Sequence, residues 1–437
     1  MGKSRNKMTE MENNMENVLT NNAKLQSIIN EVEMKIRPIH DQIDKIVENN
    51  QYRVLKSFQK NEVSDSHFIP STGYGYDDIG RDTLEKVYAD CFGTEAALVR
   101  PQIISGTHAI STCLFGVLRP GDELLYITGN PYDTLEEIVG IRGSENGNLK
   151  EFGIGYQTVP LTQEGRPDFK NIAERIHPKT KMIGIQRSKG YADRPSFTVN
   201  EIKEMIDFVR EIKKDVVIFV DNCYGEFVEE LEPTHVGADL MAGSLIKNPG
   251  GGIVKTGGYI VGKREWVNKC AYRLTAPGLG GEAGASLYSL LEMYQGFFLA
   301  PHIVGQALKG AVFTAAMLER IGLNTNPSWD AKRTDLIQSV QFNDKDRMIA
   351  FCQAIQYASP VNSKFTPYPS YMPGYEDDVI MAAGTFIQGA SIELSADGPI
   401  RPPYIAYVQG GLTYEHVKIA ICLAVNRLIE KQLITIE

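Results

Sequence analysis

Apolar residues recur at two spacings along this chain, and the alternation between them lays out its elements. From Leu19 to Val47 they return at helical intervals (Leu25, Ile28, Ile29, Val32, Met34, Ile36), which predicts an N-terminal helical arm that Pro38 kinks or divides. The polar stretch up to Asn22 is expected to fray. Between about residues 70 and 265 short apolar runs alternate with amphipathic segments. Helices are expected over Asp82–Phe92, stopped by Gly93, and over Ser105–Leu118, Tyr132–Val139 and Asn200–Lys213. Strands are expected over Ala96–Arg100, Glu123–Thr128, Thr180–Gln186, Val216–Val220 and Gly258–Val261. Val216–Val220 is apolar without a break, as a strand buried on both faces must be. This alternation predicts an α/β fold with a mainly parallel sheet covered by helices.

Beyond residue 270 the pattern changes. Gly278, Gly280, Gly281 and Gly284 lead into a helix-rich stretch from Ala283 to Ile321, and a loop-rich stretch follows from Asn324 to Gln341. The tail then reads as a helix (Asp346–Tyr357), strands at Ser391–Leu394 and Tyr404–Val408, and a helix (Tyr414–Glu430), which together make a smaller α+β domain. The expected organisation is an arm over 1–70, a large domain over 71–282, and an interdomain helix with the small domain over 283–437.

Composition narrows the class. A hydrophobic share of 43% over 437 residues is enough for a sizeable core. A net charge of −9, with Lys and Arg scattered, argues against a nucleic-acid surface. No apolar run approaches the ~18–20 residues of a membrane span, and the N-terminus lacks the apolar segment of a signal peptide, so a cytoplasmic protein is expected. Cys91, Cys113, Cys223, Cys270, Cys352 and Cys422 include no C-x-x-C pair and read as reduced core thiols. The seven histidines are dispersed, so no metal site is expected.

One constellation carries chemistry. The apolar run Val216–Val220 ends in Asp221, and about one βα step later Lys247 stands in Gly243-Ser-Leu-Ile-Lys-Asn-Pro-Gly-Gly-Gly252. Pyridoxal phosphate requires such a set: a lysine for its aldehyde, a carboxylate for its pyridine nitrogen, and small residues where backbone approaches its phosphate. An unpaired carboxylate at a buried strand end is costly, and a pyridinium would partner it. A dry wall and a neighbouring pyridinium are expected to lower the pKa of Lys247. Ser105-Gly106-Thr107 opens a helix whose N–H groups suit a phosphate, and Ser244 can add a hydroxyl. Tyr132 begins the next helix and can stack on the pyridine; a turn tyrosine is the plainer reading. Tyr224 can donate to the cofactor or simply pack. Arg401, stiffened by Gly398-Pro399 and Pro402-Pro403, suits a carboxylate clamp, or is an ordinary surface arginine. The loop Tyr74-Gly75-Tyr76-Asp77-Asp78-Ile79-Gly80-Arg81 can reach a ligand or a neighbouring subunit, or cap the following helix.

Taken in order, these residues resemble the aspartate-aminotransferase fold of pyridoxal phosphate enzymes and, within it, the cystathionine/methionine lyase superfamily. The branch named for aluminium resistance, carbon–sulfur lyases, is the nearest likeness. It is carried by Pro131–Glu137, Val220–Phe227, Ser244–Gly252 and Ser391–Gly411. The resemblance implies pyridoxal 5′-phosphate on Lys247, stacked on Tyr132, with Gly106, Thr107 and Ser244 at its phosphate. It also implies that Tyr74 or Tyr76 and Arg81 serve the phosphate of a neighbouring subunit, in a homotetramer of two active-site dimers. Where the superfamily usually has an acidic-Ser/Thr-Asn-Pro stretch, this chain has Gln186-Arg187-Ser188-Lys189-Gly190-Tyr191. The expected activity is elimination of a thiol from a sulfur-containing amino acid. An aldolase, racemase or aminotransferase would use the same lysine and aspartate, and a non-catalytic cofactor-binding protein is a third possibility.

Overall fold

The structure, a computed structural model, describes residues 22–143, 146–192, 194–372 and 377–436. The polar segment expected to fray, and the start of the arm at Leu19, lie outside these residues. The chain divides into two compact units. Of the described residues, the larger comprises those of Ile46–Val304 with Arg333–Asp335; the other comprises those up to Lys45, Gly305–Lys332 and those from Leu336 onward. These limits differ from the expected boundaries near 70 and 282.

The arm is one helix, α1 (Ala23–Lys60), begun by the Asn22 side chain accepting from the Leu25 N–H. It runs through Pro38 and 13 residues past the predicted end at Val47. Leu25, Ile28, Ile29, Val32 and Ile36 are buried as expected, whereas Met34 faces solvent. Its first part is folded into the second unit, with Glu31 paired to Arg320 at 3.1 Å and Glu33 to Lys418 at 2.5 Å.

In the larger unit a seven-stranded sheet runs in the order β1-β7-β6-β5-β4-β2-β3. The strands are β1 (Ala96–Arg100), β2 (Glu123–Tyr126), β3 (Gly155–Thr158), β4 (Thr180–Gln186), β5 (Val217–Asp221), β6 (Leu240–Ser244) and β7 (Gly258–Gly262). Only β7 is reversed, pairing antiparallel with both β1 and β6. The sheet is therefore mainly parallel, as the alternation predicts. Its helices are α2 (Ile79–Cys91), α3 (Gly106–Val117), α4 (Asp133–Val139), α5 (Phe169–Arg175), α6 (Val199–Ile212) and α7 (Arg264–Leu274), and α8 (Leu290–Arg320) belongs to the larger unit as far as Val304 and to the second unit from Gly305. Helix α3 lies over β6 and β7 and against α7. Beneath it Ile110, Cys113 and Leu114 join Leu124, Phe219, Ala242 and Ile260 in one core. Strand β6 escapes sequence reading because Ala-Gly-Ser, three of its five residues, has low strand propensity.

In the second unit a five-stranded antiparallel sheet has the order β10-β11-β12-β9-β8, comprising β8 (Asn324–Asn326), β9 (Gln338–Gln341), β10 (Val379–Ala382), β11 (Ser395–Pro399) and β12 (Ile405–Gln409). Helix α9 (Lys345–Tyr357) packs on it and against α10 (Tyr414–Glu430). Two expectations fail here. The presumed loop Asn324–Gln341 holds two strands, β8 at the sheet edge and β9 between β8 and β12. The presumed strand Ser391–Leu394 is a buried turn, and the ladder begins at Ser395, where Ala396 lies between Ala382 and Val408. Ile392 and Leu394 owe their burial to the turn, while β11 is built from Ser, Ala, Asp, Gly and Pro, which propensity assigns to loops.

Candidate active site

The parallel strands β4, β5 and β6 end side by side, and the end of each carries a residue of the site. Gln186 closes β4 in register with Asp221, which closes β5; Asp221 is in register with Ala242, two residues before Ser244 at the end of β6. The carboxyl ends of parallel strands are where open α/β sheets bind ligands. Lys247 follows Ser244 by three residues and is half-buried.

Asp221 is buried, and its Oδ1 accepts the Cys223 N–H at 3.1 Å. Burial pushes its carboxyl up, while Lys247 and the Cys223 N–H draw it down. Lys247 Nζ lies 3.9 Å from the centre of the Tyr224 ring. Burial acts to lower the Lys247 pKa, but Cys223, Tyr224, Asp221 and Tyr132 together outweigh it and hold the ammonium well above the usual lysine range. This is opposite to the expected lowering, because the cation that would repel the ammonium belongs to the cofactor and not to the chain.

The helix opened by Ser105 comes to the same place. Ser105 caps α3 by accepting the His108 N–H. A side chain at Gly106 would stand 3.1 Å from Cys223 Sγ and 3.4 Å from Ser244 Cβ, so the absence of one keeps a cradle clear at the helix start. The hydroxyls of Thr107 and Tyr132 share a hydrogen bond of 2.7 Å. Tyr132 donates its backbone N–H to Gln186 Oε1 at 2.9 Å, and Gln186 Nε2 donates to the Ser188 carbonyl at 2.9 Å. Gln186 carries the same sequence signal as Asp221, a polar residue closing a buried strand, though it is not among the candidates that the motifs single out.

Tyr224 has φ 71°, an uncommon conformation for an aromatic residue. The turn that holds it is fastened by Arg187, which is fully buried. Arg187 donates to Asn222 Oδ1 and the Gly225 carbonyl, each at 2.9 Å, and pairs with Glu229 at 2.9 Å. Its backbone N–H also reaches the Asp221 carbonyl. Arg187 is thus a structural residue of the Asp221 turn.

Lys247, Asp221, Tyr132, Tyr224, Gly106, Thr107 and Ser244 are therefore assembled in one unit. The remaining candidates stand elsewhere. Tyr74 and Tyr76 stack on each other, 5.4 Å between centroids, and both are exposed. Arg81 does not point outward with them. Its side chain is buried, donating to the carbonyls of Gly75 and Gly284 and pairing with Asp82. Its donors are spent within its own chain, contrary to the expected reach to a neighbouring subunit. Arg401 belongs to the second unit, where its side chain is exposed and lies 3.4 Å from Asp377. Among the described residues no cluster of His, Cys, Asp and Glu could hold a metal ion, and no helix is long and apolar enough to cross a membrane.

The donor set fits pyridoxal phosphate: an amine, a carboxylate one strand away, an aromatic ring, and hydroxyls beside a clear helix N-terminus. The sheet and these strand ends define the class, an aspartate-aminotransferase-like fold of pyridoxal-phosphate enzymes. The chain belongs to the Methionine gamma-lyase family, whose sequence profile matches residues 25–429. It is 72% identical over 421 residues to the protein YnbB of Bacillus subtilis (strain 168), covering 96% of this chain and 100% of that one. A crystal structure from Listeria monocytogenes, provisionally named a cystathionine beta-lyase involved in aluminium resistance, is 69% identical with a TM-score of 0.91, covering 92% of this chain and 99% of that one. A carbon-sulfur lyase involved in aluminium resistance from Clostridium novyi is 49% identical with a TM-score of 0.90, covering 93% and 96% of the two chains.

Proposed function

We propose that this chain is a pyridoxal-phosphate-dependent carbon–sulfur lyase acting on a sulfur-containing amino acid. Membership of the Methionine gamma-lyase family makes pyridoxal 5′-phosphate its cofactor, and the names of its relatives support a lyase. The observation that carries the reading is the meeting of Lys247, Asp221 and the Thr107–Tyr132 pair at adjacent strand ends.

When bound, the cofactor supplies an aldehyde for amines and a ring that draws electrons from the substrate α-carbon. Lys247 would carry it, with Gly106, Thr107 and Ser244 at its phosphate, Tyr132 against its ring and Asp221 at its ring nitrogen. Lys247 Nζ would take the proton from the substrate α-carbon and give one to the departing sulfur. Asp221, drawn toward its carboxylate form by Lys247 and the Cys223 N–H, would hold a proton on the ring nitrogen. Gln186 holds the backbone of Tyr132, and Thr107 its hydroxyl, so the ring cannot rotate away. Arg401 is proposed to hold the substrate carboxylate. The exposed Tyr74–Tyr76 pair, and not Arg81, is proposed to serve a neighbouring subunit, in a homotetramer of two active-site dimers.

The test is a panel of L-methionine, L-cystathionine and L-cysteine, assayed for thiol, ammonia and keto acid. Release of all three products from one of them supports the lyase. Transfer of the amine without thiol release, or racemisation alone, overturns it in favour of another reaction on the same cofactor.

A further inference from the structure

Behind the Lys247 loop lies a second carboxyl for which the proposed mechanism has no use. Glu226 has no exposed surface. Its Oε1 accepts from Tyr259 Oη at 2.7 Å, and its Oε2 has no hydrogen-bond partner among the described residues. The surroundings are aromatic, with Tyr259 stacked on Phe92 and tilted against Tyr88. A half-satisfied carboxyl in such a place is costly. The backbone is shaped to admit it. Gly243 faces Tyr259 across β6 and β7, and a side chain there would come within 2.5 Å of Glu226 Oε1. The Lys247 loop is fastened to the same residue, since Asn248 Nδ2 donates to the Glu226 carbonyl at 2.9 Å.

We propose that Glu226 is a positioning residue for Lys247, a buried carboxyl whose charge sets how firmly that lysine keeps its proton. This rests on Lys247 being the cofactor lysine. Several groups face Glu226: Cys223 and Glu232 on its own turn, Lys247 from the loop after β6, Tyr259 from β7 and Tyr88 from α2. Burial pushes the carboxyl up to about 8, Glu232 adds to that, and the Tyr259 hydrogen bond and Lys247 draw it down. Below that pH Glu226 is neutral and leaves Lys247 to its other neighbours. Above it a carboxylate forms beside the lysine loop, and the ammonium is held more firmly.

The experiment uses the full chain freed of cofactor. It measures the rate at which pyridoxal 5′-phosphate is captured on Lys247, trapped by borohydride, across pH. Capture requires the neutral amine. Glu226→Gln should match wild type at about pH 6.5 and exceed it by about threefold to tenfold at about pH 9.5, since one pKa unit is a factor of ten. Glu226→Asp should restore the wild-type profile. Tyr259→Phe should move the onset of the effect to higher pH, because it removes a hydrogen bond that favours the carboxylate. A ratio of Glu226→Gln to wild type that is constant across pH overturns the proposal and makes Glu226 a packing residue. Should Glu226→Gln not fold, an unmoved onset in Tyr259→Phe overturns it equally. Absence of any label on Lys247 in wild type sinks the proposed function instead.

Discussion

The Lys247 amine sits over the face of Tyr224, 3.9 Å from the ring centre, and forms no ion pair within 4 Å with a carboxylate among the described residues. An aromatic face stabilises an ammonium without locking it in one direction, so the amine remains able to turn toward an aldehyde. Borohydride reduction of the loaded protein should fix the cofactor to Lys247, and Lys247→Ala should lack the visible absorbance band. Peptide mapping checks this; a label on another lysine would remove Lys247 from the mechanism.

Asp221→Asn is expected to keep most of the cofactor and lose turnover by about a hundredfold or more, because a neutral amide cannot hold the ring nitrogen protonated. Cofactor content by absorbance, set against kcat, separates the two effects. Wild-type turnover would reduce Asp221 to a strand end.

Arg81→Ala should behave as a stability variant. It strands the Gly75 and Gly284 carbonyls that the buried guanidinium now satisfies, at a cost of about 2–4 kcal/mol. Urea unfolding should show this with the cofactor absent. A variant of unchanged stability that binds the cofactor phosphate more weakly would return Arg81 to a ligand role.

Arg401→Ala should keep the cofactor band while kcat/KM falls by about two to three decades, the equivalent of about 2–4 kcal/mol of a bidentate charged contact. Its guanidinium is exposed and faces only Asp377, at 3.4 Å, among the described residues, so little stability should be lost with it. Arg401→Lys should recover only part of the rate, since an ammonium cannot reproduce the fork. An unchanged kcat/KM on the best substrate would end the clamp role. Arg187 cannot inherit it, being buried and committed to the Asp221 turn.

Glu226 also predicts a pH-dependent stability. Its folded pKa, about 8, lies above the ordinary carboxyl value of 4.5. As pH rises through that window the unfolded chain ionises while the folded chain does not, so the unfolded state is favoured and stability falls. Glu226→Gln, which cannot ionise, should therefore melt above wild type at about pH 8 and close to it at about pH 4.5. Thermal melts at the two values decide it, and an equal difference at both would show that the Glu226 carboxyl has the same pKa in the folded and the unfolded chain.

Much of the site was legible in the chain because its chemistry is written in residue types at strand and helix ends. Asp221 closes an apolar strand, Lys247 stands alone in a small-residue loop, and Ser105-Gly106-Thr107 opens a helix. Each breaks the hydrophobic pattern at a point where burial makes the break expensive. The large sheet was legible for a related reason: strands buried on both faces have continuous apolar runs. Strands β6 and β11 were not, because small and turn-forming residues occupy positions that pairing with neighbours makes extended.

Side-chain commitments are decided only by the fold. Arg81 and Arg401 look alike in the sequence, an arginine in a Gly- or Pro-bearing loop, yet one is buried against its own carbonyls and the other exposed. Glu226 reads as one acidic residue among many until β6 and β7 enclose it. The sequence determined which chemistry the chain can carry, since residue identity and spacing fix the reactive groups. Tertiary structure decided which charges are free to use it, because desolvation and the competing claims of backbone carbonyls exist only once distant segments are packed together.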